Sequence, residues 1–328
     1  MSIFLVTGGA GYIGSHLVKL LVEQGHEVSV LDDLSTGHQE AVPKHVSLYK
    51  GSLADRKFVQ ETLNKGAFEA VFHFAAKSQV GESYQHPFRY FNSNVVNSLN
   101  LIEACVEAGI PKFVFSSTAA VYGEPLTLNI NETTSTRPVN PYGLSKLMIE
   151  QMLAWADKAH GMRSAALRYF NAAGCDPDGM LGEDHSPETH LIPLCIDAAL
   201  GRRPQLTIFG DDYPTTDGTA VRDYVHVCDL GRAHVACVDA LDSKSVVYNL
   251  GNGQGYSVRE VIASVERVTG LVVPTVVGAR RMGDPSHLIA DSSRIQQELG
   301  WTPTMSDLDT LVESTFKWRL SHKDGYRT

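Results

Sequence analysis

The chain has 328 residues, 43% of them hydrophobic and 20% charged, with a formal net charge of −9. That length can bury a large core in one or two domains, and the composition is that of an ordinary soluble protein. The acidic balance, without a lysine and arginine cluster, argues against nucleic acid or an anionic membrane as partner. Five scattered cysteines, none in a C-x-x-C pair, point to reduced thiols and a cytoplasmic setting. The opening MSIFLVTGG lacks a basic n-region, and no stretch reaches the length of a membrane span.

In chain order, Ile3–Val6 reads as a strand running into GGAGYIGSHL. A helix is predicted over Tyr12–Gln24, where Ile13, Leu17, Leu20 and Leu21 share a face and Gly25 ends the pattern. Glycines at 8, 11 and 14 permit a tight turn and close approach of a pyrophosphate, which the free N–H groups of the helix start attract. A second strand, Val28–Leu31, ends in Asp32 and Asp33. Acidic groups at that distance accept hydrogen bonds from a ribose and repel a 2′-phosphate, which favours NAD over NADP. Further strands are expected at Val46–Tyr49, Ala70–Phe74, Lys112–Phe115 and Ala165–Tyr169, with helical patterns between them. The alternation predicts an α/β fold with a Rossmann-type doubly wound parallel sheet.

Two segments carry candidate chemistry. KFVFSSTAAVYG reads as a strand entering a turn, with Ser116, Ser117 and Thr118 at its carboxyl end, where such sheets bind ligands. NPYGLSK then starts a helix that projects Tyr142 and Lys146 from one face. A phenol ordinarily titrates near pH 10, and bringing it to neutrality takes about 4 kcal/mol of differential interaction. A lysine ammonium and a cationic nicotinamide ring can supply it in a desolvated cleft. Taken alone, the same residues could be a strand-end cap and a solvated helix lysine.

Beyond Asn171 the chain is dense in Gly, Pro, Asp and His, the texture of a long ordered loop or lid. Helical patterns follow at Val258–Thr269 and Asp307–Leu320. This half reads as a smaller α/β substrate domain over the carboxyl edge of the sheet. The predicted division is residues 1–171 and 172–328, with a return to the first part near 222–247. His185, His190 and neighbouring carboxylates superficially suggest a metal site, but without a third well-spaced ligand no metal is expected. Tyr84, Phe88, Tyr90 and Phe91 are assigned to packing.

TGGAGYIG, FSSTAAVYG, NPYGLSK and RYFNAAG together resemble the NAD-dependent epimerase/dehydratase family of the extended short-chain dehydrogenase/reductase superfamily. GEDHSPETHLIPL, IFGDDYPTTDGTAVRDYVHVCDL and RRMGDPSHLIAD resemble its UDP-glucose/UDP-galactose 4-epimerase branch. The resemblance implies Thr118, Tyr142 and Lys146 as the catalytic set, tightly held NAD, a UDP-sugar substrate and a homodimer. It implies Gly8, Gly11, Tyr12, Ile13 and Gly14 at the cofactor phosphates, and Asp32, Asp33 and Leu34 at the adenosine ribose. Phe74, Ala75 and Ala76, with Asn94 and Phe170, would line the cofactor site. Near the adenine, family members often have an aspartate where this chain has Ser52 and then Leu53.

For the UDP-sugar, the resemblance implies Asn171, His190, Leu191, Phe209, Arg222, Arg281 and Asp284. The two arginines suit a pyrophosphate. Position 288, taken to screen sugar size, is Leu288, which leaves room for an N-acetylated sugar. Dehydratases of this fold carry an Asp-Glu pair after the threonine. Ala119 and Ala120 cannot transfer protons, so dehydration is disfavoured. Epimerases of UDP-N-acetylhexosamines or UDP-pentoses, and a dehydrogenase that releases NADH, remain as alternatives.

Overall fold

The structure, a computed structural model, describes residues 1–125, 129–281 and 284–326. Met282 and Gly283, inside the RRMGDPSHLIAD segment, lie outside the described residues. Seven strands, numbered with all others in chain order, form the main sheet. They are β1 (Ile3–Thr7), β2 (Glu27–Asp32), β3 (Ser47–Lys50), β4 (Ala70–His73), β5 (Lys112–Ser116), β7 (Arg163–Tyr169) and β11 (Val246–Leu250). Their order is β11-β7-β5-β4-β1-β2-β3, and every pairing is parallel.

Alternate side chains explain why both faces of this sheet are covered. Phe4 and Val6 of β1 enter one core with Leu17 and Leu21 of the helix Tyr12–Glu23, while Leu5 enters the opposite core. Val114 and Phe113 divide the same way in β5. Apolar residues on both sides of each strand are what a parallel sheet between two helix layers requires. The chain lays down β1, β2 and β3 outward, then returns to place β4 on the other side of β1. A crevice opens at the carboxyl ends where the order reverses.

A second sheet contains β6 (Asn129–Ile130), β8 (Asn171–Ala173), β10 (Val221–His226), β12 (Gly255–Ser257) and β14 (His287–Ala290). Strands β9 (Leu206–Phe209) and β13 (Thr275–Gly278) form a separate parallel pair. A third core lies among the helices Leu191–Ala199, Val258–Thr269 and Leu308–Ser321. In the segment expected to return near 222–247, β10 stays in the second sheet. It is the helix Val227–Ala240 and then β11 that pack on or join the first. The helical pattern over Phe91–Glu107 opens with a π-type turn at Phe91–Val96 before the α-helix Asn97–Glu107. Of the aromatics assigned to packing, Tyr90 is fully buried, but Phe88 and Tyr84 are 78% and 53% exposed. Among the described residues no helix is long and apolar enough to cross a membrane.

Candidate active site

A cleft of about 540 Å³ lies at the reversal point, walled by the turns that follow β1, β2, β4 and β5. The first turn closes on itself: Gly8 N–H donates to Leu31 O at 2.9 Å and Gly11 N–H to Gly8 O at 3.1 Å. The first bond inside the helix runs from Ser15 N–H to Gly11 O, and no side chain caps its start. The N–H groups of Tyr12, Ile13 and Gly14 are therefore left for an anion. Gly8 has φ +75°, and a Cβ there would stand 2.5 Å from Ala75 N. At Gly14 it would stand 2.2 Å from Gly8 O. Only glycine leaves the turn this tight and its backbone this accessible, so the loop fits the pyrophosphate of a dinucleotide.

Asp32 is 7% exposed and holds the same loop in place. Its carboxylate accepts from Ala10 N–H at 3.0 Å and Leu34 N–H at 2.9 Å. Burial pushes its pKa up against those two bonds. Asp32 and Asp33 both line the cleft, as do Ser52 and Leu53. Leu34 lies off the wall, with φ 57°, and packs on the core beneath. Asp55, the nearest carboxylate to Ser52, is occupied as the cap of the helix Arg56–Leu63, accepting from Phe58 N–H. Phe74, Ala75, Ala76 and Phe170 form wall. Asn94 is buried behind it and clamps both backbone groups of Lys77 at 2.8 and 3.0 Å.

The helix Pro141–His160 starts at the floor of the cleft, where Asn140 accepts from Gly143 N–H at 2.7 Å. Tyr142 and Lys146 both face inward and line the cleft, with Thr118 opposite. The Thr118 hydroxyl accepts from Ala120 N–H at 3.1 Å, capping a short turn on the same cleft wall as Tyr142. Lys146 Nζ donates to Ser116 O at 2.7 Å and sits 4.8 Å from the Phe115 ring centre. Burial lowers Lys146 to about 7, with Glu150 acting the other way. Burial also raises the Tyr142 phenol above its ordinary value, and the Thr118 hydroxyl only partly offsets this. The expectation from sequence rests on Lys146 together with a cationic nicotinamide ring, and the burial of the phenol is what those two charges have to oppose. Within this chain the ammonium is committed to the strand end.

One helical turn beyond Lys146, Glu150 was not foreseen. It pairs with Arg168 of β7 at 2.5 Å and accepts from Ser117 at 2.5 Å. Arg168 in turn reaches the Tyr122 hydroxyl at 3.0 Å. Tyr169, which bonds Ser116, also lines the cleft and went unnoticed. The spacing 142, 146, 150 was the available signal.

Of the substrate-side residues, Asn171, His190, Asp284 and Leu288 line the cleft. Asn171 is oriented by a 2.8 Å bond to Asp223 O. Arg222 is ion-paired with Asp284 at the rim, and the Arg281 guanidinium lies 4.1 Å from the centre of the Phe209 ring. Leu191, Phe209, Arg222 and Arg281 do not line the cavity itself. Near His185 and His190 the fold brings together Glu183 and Glu188, two of the neighbouring carboxylates weighed with them from sequence. Burial opposes the charge on His185, yet hydrogen bonds to the two glutamates lift it to about 10.

Residues 4–251 match the NAD dependent epimerase/dehydratase family. A UDP-glucose 4-epimerase of Halalkalibacterium halodurans is 48% identical over 326 residues, 99% of this chain and 97% of that one. A crystal structure of a UDP-glucose 4-epimerase superposes with a TM-score of 0.97 at 46% identity, over 99% of this chain and 100% of the other. The Brucella ovis UDP-glucose 4-epimerase in complex with NAD gives 0.94 at 47% identity, over 96% and 98% of the two chains.

Proposed function

The chain belongs to the NAD-dependent epimerase/dehydratase family, and we propose that it interconverts UDP-glucose and UDP-galactose by inverting C4 of the sugar. The observation that supports this reading best is the convergence of Thr118, Tyr142 and Lys146 on one cleft with the glycine turn. NAD, when bound, supplies the acceptor that takes hydride from C4 and gives it back, and a positive ring beside the phenol.

In this reading the chain's own groups do the following. Tyr142 takes the proton of the sugar 4-hydroxyl, with Thr118 on the same wall of the cleft. Thr118 also orients the 4-oxygen. Lys146 anchors the cofactor-side hydroxyls while fixed to Ser116 O. The 4-keto sugar then turns about its pyrophosphate, presenting its other face, and Tyr142 returns the proton. Arg222 and Arg281 hold the pyrophosphate near Asp284, and Asn171 and His190 hold the nucleotide side. The glycine turn, Asp32, Asp33 and the Ser52–Leu53 wall hold the dinucleotide.

The division at about residue 171 separates the cofactor half from the substrate half in this reading. A homodimer is supported by exposed apolar residues on two neighbouring helices, Leu99 on one and Leu144, Met148 and Trp155 on the other. A cytoplasmic setting is supported by five free cysteines.

The test is a product assay with purified protein and no added NAD. UDP-galactose should give UDP-glucose without net NADH, and stoichiometric NADH would instead mark a dehydrogenase. Leu288 on the cleft wall favours a second reading, in which N-acetylated sugars are also epimerised. Running UDP-N-acetylglucosamine and UDP-xylose alongside decides it, with and without Leu288→Tyr.

A further inference from the structure

Between β8 and the helix Leu191–Ala199 the chain runs as a strap that brings Glu183, His185, Glu188 and His190 together. One ligand-type atom from each lies within 4.8 Å of all the others. Donors around one ion at bond lengths of about 2.0–2.2 Å stand roughly 3–4.5 Å apart. His185 Nδ1 is 3.1 Å from Glu183 Oε1, and His190 Nδ1 closes on the same oxygen. Glu188 Oε1 stands 3.9 and 3.7 Å from those two nitrogens.

Two imidazoles aiming the same nitrogen at one carboxylate oxygen would each need a proton there to serve as hydrogen-bond donors. A single divalent cation satisfies the group differently. It takes a lone pair from each imidazole, and the two carboxylates cancel its charge. Glu183, with its side chain 2% exposed, would then be neutralised without water. The frame is also held from outside, as ligand sets are. Glu188 Oε1 accepts from the N–H groups of Thr189 and His190 at 2.7 and 2.9 Å. Its other oxygen is buried, without a hydrogen-bond partner among the described residues, 3.7 Å from Arg319.

We propose that Glu183, His185, Glu188 and His190 bind one divalent transition-metal ion of the zinc class, which closes the strap on itself. Imidazole nitrogen disfavours magnesium and calcium, which take oxygen donors. Four protein donors describe a structural ion rather than one that activates water. His185 and His190 also line the cleft, so the ion fixes part of the substrate wall. The site stands independently of which sugar is turned over.

The test uses the full-length protein, stripped with dipicolinate and titrated with cobalt(II), then zinc. The expected result is one equivalent of cobalt per chain with visible d–d absorption, displaced by zinc. His185→Asn and Glu188→Gln should each weaken binding at least about tenfold. Wild-type protein that takes up no stoichiometric cobalt, or variants that bind as tightly as wild type, would overturn the site. Should either variant fail to fold, the wild-type titration decides alone.

Discussion

Lys146 donates to the backbone oxygen of Ser116 across 2.7 Å, which ties the ammonium one turn after Tyr142 to the end of β5. Burial brings this lysine to about 7, so it titrates near neutral pH. Between that value and the ordinary lysine value, an unfolded chain keeps the proton that the folded one has lost. Lys146 therefore opposes folding most at and below about pH 7, and relief grows as pH rises toward 10.5.

Replacing it should separate stability from function. Lys146→Met is expected to gain about 0.5–2 kcal/mol in urea unfolding at pH 6, a common trade at active sites. Turnover should fall about 10²–10⁴-fold. A variant less stable than wild type at pH 6 would contradict the buried-charge reading.

Tyr142→Phe keeps the ring and removes the proton carrier. Turnover should drop about 10²–10⁴-fold, while calorimetric binding of NAD and UDP stays within about threefold. Near-normal turnover would remove Tyr142 as the base.

Glu150, on the helix that carries Tyr142 and Lys146, forms a buried ion pair with Arg168 of β7, with side chains 7% and 8% exposed. Removing one charge leaves the other uncompensated, so Glu150→Gln should cost about 3–5 kcal/mol in unfolding free energy. It should also move Lys146 further down, since Glu150 is the group that supports its charge. The first effect is read from urea midpoints and the second from the pH profile of turnover. A loss below about 1 kcal/mol would show the pair to be dispensable.

Buried histidines set an acid limit. Burial lowers His73 to about 3 and His16, His226 and His234 to about 4. All four fall below the unfolded value of 6.5. As pH drops through 6.5 toward 4, the unfolded chain gains protons first and stability is lost. Each histidine contributes about 1.4 kcal/mol per pH unit across that window. Urea unfolding at pH 7, 6 and 5 should show this slope, and His73→Asn should flatten it by one histidine's share.

Much of the first half was legible because its signals are local. Short continuous apolar runs gave the strands, and glycine spacing gave the turn after β1. Pro141 marked the catalytic helix. What was missed depends on distant partners. Arg168 reaches Glu150 from β7, and Asp55 is taken up as the cap of the helix Arg56–Leu63. The Tyr142 phenol rises because of burial, which no spacing reports.

The most direct measurement follows the hydrogen on C4. UDP-galactose deuterated at C4 is incubated with the purified protein in ordinary water, without added NAD, and the product is read by mass spectrometry and NMR. UDP-glucose that keeps the deuterium at C4, with no net NADH, is the expected result. Deuterium washed into water, or NADH accumulating in step with an oxidised sugar, would contradict internal return.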